Sequence, residues 1–568
     1  MTKGSKIVSV EDLSISFKHD ENEKIVVQNL DFDLFKGETL GVVGESGSGK
    51  SVTAMSFLKL LPSSASYPNG KIWFHQENEK TDLLSLSEKE IRRFRGKKIA
   101  MIFQNPMNSL NPTHRCGAQV LEAILLHEAV SKSDAKKRVL ELFEKVELND
   151  PERIYSSYPH QLSGGQIQRI MIAMAVSCNP DVLIADEPTT ALDVTVQQSI
   201  LRLLEEIKKE FETTVIFISH DLGVIHEIAD RVLVMRKGKI VESGNTKSIF
   251  ADAKHPYTKG LINCRPPLEK RLDRLPTVEE YIDGKVPVLK EISRTSFDQR
   301  LTELNSTDEL LKVEHLKKYY VKSRSFLGRP KEWTKAVDGV SFSMKVGETL
   351  GLVGESGSGK STLGKTLLKL IPATDGQVHF KGHSIFDLPK PQLKNLRKDF
   401  QIIFQNPYGS LNPRMKIGKA IMEPMVVHKL FESKSQRKEK SIELLEMVGL
   451  EADHWNRYPH QFSGGQRQRI CIARTLSLSP KFIVCDESVS ALDVSIQAQI
   501  LNLLKDLKDQ FELSYLFISH DLSVIKHISD NVLVMQHGKI VERNNAEDLF
   551  SNPKEGYTQR LLEAIPKV

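Results

Sequence analysis

Two segments of identical sequence, GESGSGKS, occupy residues 44–51 and 354–361. Each has the GxxxxGK[ST] spacing of a phosphate loop. Gly44, Gly47 and Gly49 in the first copy, and Gly354, Gly357 and Gly359 in the second, let the backbone come close to an anion. The successive amides of Glu45, Ser46 and Ser48, and of Glu355, Ser356 and Ser358, can then point at it. Lys50 and Lys360 stand where they would reach terminal phosphates, and Ser51 and Ser361 where a hydroxyl would hold Mg²⁺. A Gly/Ser-rich stretch is often only a flexible turn, but two identical copies, each after an apolar run and before a helical one, point to nucleotide binding.

Further chemistry follows each loop in the same order. Asp186-Glu187 and Asp486-Glu487 end apolar runs. The aspartate suits an outer-sphere or water-mediated Mg²⁺ contact and the glutamate a general base on an attacking water. FQNP recurs at Phe103 and Phe404, and ISHDL at Ile218 and Ile518. SGGQ stands at Ser163, Gly164, Gly165, Gln166 and again at Ser463, Gly464, Gly465, Gln466. A serine and two glycines opening a helix make a second anion-binding N-terminus in each half.

These groups need a scaffold that brings distant segments to one edge. Residues 40–43 read as a strand entering the first loop and 52–61 as the helix leaving it. Residues 182–185 and 214–218 read as buried strands, joined by a helix over Val194–Phe211 with apolar Val196, Ile200, Leu203, Leu204 and Ile207 at helical spacing. Strand–helix–strand alternation predicts an α/β fold with a largely parallel sheet. Residues 106–160 read as a separate helical lobe. The offset between copies is 310 at the phosphate loop and 300 from SGGQ onward, which places extra residues of the first half on the surface within 63–88.

A chain of 568 residues exceeds one core. The repeat divides it into a domain over 6–264, a linker over 265–309 and a domain over 310–568. The linker carries Pro266, Pro267, Pro276 and Pro287 and no sustained heptads, so a coiled coil is not expected. Net charge is +6, from 79 basic and 73 acidic residues, too small for a nucleic-acid binder driven by bulk charge. Five scattered cysteines without CxxC spacing fit a reducing compartment. Signal-peptide and membrane-span patterns are absent from the sequence, so a membrane role would need a span from another chain.

The ordered set of phosphate loop, FQNP, SGGQ, DE and SHDL, present twice over nearly the whole chain, resembles the ABC ATPase family. The resemblance implies two P-loop NTPase domains of ABC type, each with a parallel-sheet core, an antiparallel β subdomain and a helical subdomain. It implies ATP and Mg²⁺ as ligands and ATP hydrolysis as the activity. By position, Phe17 and Tyr320 match the aromatic that stacks on adenine. Gln104 and Gln405 match the glutamine that touches Mg²⁺ and water, and His220 and His520 the histidine that contacts the γ-phosphate. Residues 191–193 and 491–493 match the segment crossing the dimer interface. Both halves keep every one of these groups, so an intramolecular pseudo-dimer is implied, with Lys50 facing Ser463 and Lys360 facing Ser163.

His255-Pro256-Tyr257-Thr258, Gly556-Tyr557-Thr558, FQNPMNSLNP and FQNPYGSLNP are similar to the dipeptide, oligopeptide and nickel importer branch, with a D-type half before an F-type half. That resemblance implies two transmembrane permease subunits, an external solute-binding protein and a peripheral place on the cytoplasmic face of the inner membrane, without direct nucleic-acid contact. D-type subunits often carry a cysteine cluster after HPYT; only Cys264 lies there, so no iron–sulfur cluster is expected. Phe462 replaces the usual leucine, and Ser488 replaces the proline usual after the glutamate and is expected to loosen the second site slightly. The rival reading is a soluble tandem ATPase acting on ribosomes. Such proteins carry a long charged helical linker and lack the HPYT-like tails.

Overall fold

The computed structural model describes residues 4–565 except 20–21, 77–78, 191–192, 286, 325–329 and 491. It divides into two compact units. The first takes in the chain up to Ile262 together with Val278–Lys285, and the second Asn263–Thr277 and the chain from 287 to Ile565.

Each unit is built on two sheets. In the first, a six-stranded sheet runs Lys239–Asn245, Arg231–Arg236, Thr39–Val43, Thr214–Ile218, Val182–Asp186, Ile99–Ile102, parallel throughout except for Lys239–Asn245 at one edge. Thr39–Val43, Val182–Asp186 and Thr214–Ile218 are buried at every position. A strand covered on both faces has no solvent side to mark, which explains their unbroken apolar runs. The sheet is in register through Leu40 with Ile216 and Leu183 with Val215, so Val43, Asp186 and Ile218 all end at one edge. Asp193 caps the helix Val194–Phe211, its carboxylate accepting from the Val196 amide at 2.9 Å.

The second sheet is antiparallel, in the order Asn22–Phe35, Lys6–His19, Ala65–His75, Lys80–Asp82. One core joins the two sheets. Leu13, Ile15, Val27 and Leu30 of the antiparallel sheet cluster with Val42, Ile184, Ile216 and Leu233 of the parallel one, and Ala54 and Phe57 behind the phosphate loop fill the space between. Burial of that apolar surface drives the assembly. The loop helix is thereby held on both sides, and the phosphate loop leaves a rigid base. The helical lobe comprises Cys116–His127, Lys132–Lys145, Pro151–Ser156 and Gly164–Val176.

The second unit repeats the plan. Its sheets run Phe400–Ile403, Phe482–Asp486, Ser514–Ile518, Thr349–Val353, Asn531–Gln536, Lys539–Asn545 and Pro330–Lys345, Glu309–Arg324, Asp375–Phe380, His383–Ser384. The extra residues of the first half lengthen a strand, eleven residues over Ala65–His75 against six over Asp375–Phe380. Residues 263–309 are more structured than a tether. Arg294–Ser306 is a helix, and the backbone of Leu275 is clasped by Asn502, whose side chain accepts from its amide at 3.0 Å and donates to its carbonyl at 2.8 Å.

Candidate active sites

The two phosphate loops have the same geometry. Gly44 and Gly354 lie against a neighbouring strand so closely that a Cβ would stand 2.2 Å from the Met235 carbonyl oxygen and 2.1 Å from that of Met535. Only glycine fits there. Gly49 and Gly359, at φ 101° and 109°, hand the chain into the helices that start at Lys50 and Lys360. Lys50 is 6 % exposed and Lys360 4 %, and a buried ammonium needs acceptors. Lys50 Nζ donates to the carbonyls of Gly44 at 2.7 Å and Glu45 at 2.9 Å, and Lys360 Nζ to those of Gly354 at 2.6 Å and Glu355 at 2.8 Å. Both lysines are thus parked on their own loops, in reach of whatever those loops cradle.

Ser51 Oγ donates to Asp186 Oδ1 at 3.0 Å, and Ser361 Oγ to Asp486 Oδ1 at 2.7 Å. A hydroxyl and a carboxylate oxygen side by side are hard donors of the kind Mg²⁺ takes, so the residues fit that ion. Burial pushes the Asp186 carboxyl up to about 6 against the hydrogen bond from Ser51, and raises that of Asp486 in the same way.

The adjacent glutamates gather the remaining groups. Gln104 Nε2 donates to Glu187 Oε2 at 2.9 Å, Thr190 Oγ1 donates to the same oxygen at 2.9 Å, and His220 Nδ1 lies 3.2 Å from it. Burial works to raise the Glu187 pKa, but the bonds from His220, Gln104 and Thr190 outweigh it and hold the carboxyl at about 2. In the second half Gln405 Nε2 donates to Glu487 Oε2 at 2.6 Å and His520 Nδ1 lies 3.6 Å from it. Glu487 is again lowered, burial being overcome by His520 and by the charge of Lys360. Both glutamates adopt φ 49°, an unfavourable backbone for a side chain with a Cβ. Such strain is retained where the surrounding structure enforces it, commonly at functional sites.

Other expected residues stand on separate elements. Ser163 and Ser463 cap the helices Gly164–Val176 and Gly464–Leu476 in reciprocal capping boxes with Gln166 and Gln466. Both serines and the following Gly164 and Gly464 are exposed, which leaves those helix N-termini open to an anion. Phe17 and Tyr320 lie on the antiparallel sheets, Phe17 half-buried and Tyr320 42 % exposed with Lys318 Nζ 4.9 Å from its ring. Phe462 is buried edge-on against His454, and Ser488 is 4 % exposed. Residues 191–192 and 491 of the interface segments fall outside the described residues; Asp193 is the helix cap noted above.

Two contributions are not visible in the motif spacing. Thr190 reaches its glutamate because the segment after the strand turns back, its amide donating to the Glu187 carbonyl at 3.2 Å. Tyr257 and Tyr557, which mark the tail motifs in sequence, send their hydroxyls to the phosphate loops, accepting from the Glu45 and Glu355 amides at 3.0 and 2.9 Å.

The chain resembles known proteins over nearly its whole length. The family model for the ABC transporter matches residues 27–190 and 337–490, and the model for the oligopeptide/dipeptide transporter C-terminal region matches 241–294 and 541–568. The chain is 45 % identical over 565 residues to the peptidoglycan transport ATP-binding protein YejF of Agrobacterium fabrum, covering 99 % of this chain and 97 % of that one. It is 47 % identical over 569 residues to the glutathione import ATP-binding protein GsiA of Escherichia coli K12, covering 99 % and 89 %. It is 44 % identical over 571 residues to GsiA of Pectobacterium atrosepticum, covering 100 % and 90 %. With two cassettes of this kind and two oligopeptide-type C-terminal regions, the chain belongs to the ABC transporter family of ATP-binding proteins.

Proposed function

We propose that this chain is the ATP-hydrolysing subunit of an importer of peptide-like solutes. The observation that carries the reading is the recurrence, in both halves, of a Gln–Glu–His cluster beside a Ser–Asp pair and a lysine-bearing phosphate loop. Relatives named for peptidoglycan transport and glutathione import, and the two oligopeptide-type tails, support the solute class.

In this reading Glu187 and Glu487 accept a proton from the attacking water. Gln104 and Gln405 orient that water, and His220 and His520 hold the γ-phosphate end. Lys50 and Lys360 leave their carbonyls for the phosphates, while the loop amides bind the anion. Ser51, Asp186 and Gln104, with Ser361, Asp486 and Gln405, are the groups for Mg²⁺, which when bound neutralises phosphate charge. Phe17 and Tyr320 offer a face to adenine. The SGGQ helix ends supply donors to the phosphates of the opposite half, so two ATP molecules close a head-to-tail pair and hydrolysis releases it. Because the ligand binds the closed state preferentially, it stabilises that state.

No helix among the described residues is long and apolar enough to cross a membrane. Two permease subunits supply the span and an external binding protein delivers solute, which places this chain on the inner face of the membrane. Phe103 and Phe404, each 39 % exposed beside Gln104 and Gln405, with Tyr408 at 64 %, give the permeases an apolar foothold next to the reacting groups. One cysteine, Cys264, in the tail segment is too few for an iron–sulfur cluster, which takes four thiolates.

Replacing both Glu187 and Glu487 by Gln is expected to abolish turnover while leaving ATP bound; wild-type hydrolysis by that double variant would sink the base assignment. A double-mutant cycle on Lys50→Ala and Ser463→Ala is expected to be non-additive. Permease-type membrane proteins should co-purify with the full chain, and recovery of ribosomes instead would overturn the importer reading.

A further inference from the structure

The segment after each ATPase core reaches back to the phosphate loop through one hydroxyl. Tyr257 lies near the start of the helix Pro256–Asn263 and is 0 % exposed; Tyr557 lies near the start of Gly556–Glu563 and is 6 % exposed. The Glu45 amide donates to Tyr257 Oη at 3.0 Å, and the Glu355 amide to Tyr557 Oη at 2.9 Å. The carbonyl of that same peptide unit, on Gly44 or Gly354, accepts from Lys50 Nζ at 2.7 Å or Lys360 Nζ at 2.6 Å. One peptide plane in each loop is therefore gripped at both ends, by the tail tyrosine on its nitrogen and by the nucleotide-binding lysine on its oxygen.

We propose that Tyr257 and Tyr557 are positioning residues for nucleotide binding, each holding the phosphate-loop peptide whose carbonyl docks the lysine. The proposal rests on the ATP-binding reading above. The plane needs an external grip because it begins at a glycine, whose backbone turns freely. The grip is itself anchored. The Glu242 carboxylate accepts from the Lys254 and His255 amides at 2.7 and 3.1 Å, and Glu542 accepts from those of Lys554 and Glu555 at 2.9 and 3.2 Å. Those glutamates sit on the edge strands paired with the strands whose Met235 and Met535 carbonyls wall Gly44 and Gly354. Loop wall and tail anchor thus belong to one strand pair. The two halves build the contact from different local sequences, HPYT and EGYT, and arrive at the same geometry. When ATP draws the lysine away from its carbonyl, the tyrosine is the grip that remains, and the loop stays shaped for phosphate.

The test uses the full chain with Tyr257→Phe, Tyr557→Phe and the double variant. ADP and a non-hydrolysable ATP analogue with Mg²⁺ serve as probes. Loss of one hydrogen bond corresponds to about three- to tenfold weaker binding. Each single variant is expected to weaken one of two sites by that factor and the double variant both. KM for ATP should rise while kcat at saturating ATP falls less than about twofold, and the nucleotide-free Tm should stay within about 2 °C. Glu242→Ala, which loosens the tail anchor and leaves the hydroxyl in place, should shift the first site the same way. Wild-type affinity in both tyrosine variants would overturn the proposal. So would weakened binding with a matching loss of Tm and kcat, since that is lost packing. Failure of the wild-type chain to bind either probe would instead overturn the ATP-binding reading.

Discussion

The two halves share the Gln–Glu–His cluster and the Ser–Asp pair, yet the same supporting aspartate sits in different surroundings. Asp230 and Asp530 each accept from the first amide of the strand leading to the phosphate loop, Thr39 or Thr349, at 2.8 Å. Each pairs with a lysine of the long helix, Lys208 at 3.1 Å or Lys508 at 3.2 Å. The Asp230 side chain is 59 % exposed and that of Asp530 5 %. The difference comes from the segment after the first core. Arg300 adds an ion pair to Asp530 at 3.3 Å, Lys526 donates to the Leu268 carbonyl, and Asn502 clasps Leu275. The matching position to Asn502 on the first long helix is Arg202, which is exposed. Complementary charge helps select the surface: Lys505 pairs with Asp273, where the first helix carries Glu205, and Arg274 pairs with Asp506. Most of the linker braces the second half, while Val278–Lys285 belongs to the first unit, with Val278 against Gly260, so two copies of one motif set need not have equal stability.

A second difference lies at the reacting cluster. Thr190 donates to Glu187, whereas the Ser490 hydroxyl is buried without a partner among the described residues. A third concerns the Asp486 carboxylate, which has Lys365 Nζ at 3.9 Å where the first half has Met55.

The largest expected effect tests whether these differences reach the chemistry. Glu187→Gln and Glu487→Gln, made singly, should each cut hydrolysis at the altered site by about 10²–10⁴. Residual rates within about threefold of each other would support equivalent bases, and a tenfold gap would break the symmetry. Next, Asn502→Ala should cost the second half about 1–3 kcal/mol, because the Leu275 amide and carbonyl lose their partners. Arg202→Ala at the equivalent exposed place should change stability by less than about 0.5 kcal/mol, both read from denaturant midpoints.

The pH dependence separates the two aspartates. The Asp186 carboxyl, raised to about 6 by burial, holds its proton in the folded chain at pH values where the unfolded chain has lost it. Folding stability therefore declines as pH rises from the unfolded value near 3.8 to about 6, and the loss is complete above that. Asp186→Asn should stabilise the metal-free chain by about 1–2 kcal/mol at pH 7, and the gain should vanish below about pH 4. Asp486→Asn should gain less, since Lys365 already favours that charge. The smallest effect is expected from Thr190→Ser, which should slow the first site by about two- to fivefold if the threonine methyl is what keeps the hydroxyl on Glu187. An unchanged rate would assign the difference between Thr190 and Ser490 to packing alone.

Much of this was readable beforehand, and for a physical reason. The parallel strands announced themselves because full burial on both faces demands unbroken apolar runs, as at Val182–Asp186 and Thr214–Ile218. The family and its two cassettes followed from glycine-dependent loops that tolerate almost no other residues. The linker was harder to read. Its prolines and charges argued against a coiled coil, but its docking depends on Asn502, Lys505 and Asp530, more than two hundred residues onward. Ser488 drew notice as an unusual residue, whereas Ser490, two positions on, is the one whose hydroxyl lost the contact its counterpart makes.

By itself the sequence determined the inventory: two phosphate loops, two Asp-Glu pairs, two SGGQ helix starts and two tails, in one order. Those signals are local, set by backbone conformations only glycine adopts and by periodicity along a strand or helix. Only the tertiary structure decided which groups meet. It set Tyr257 on the Glu45 amide, across 212 positions, and divided the linker, with Leu275 clasped in the second unit and Val278–Lys285 held in the first. Contacts of that range carry no periodic mark, because they arise from how sheets and helices pack once formed.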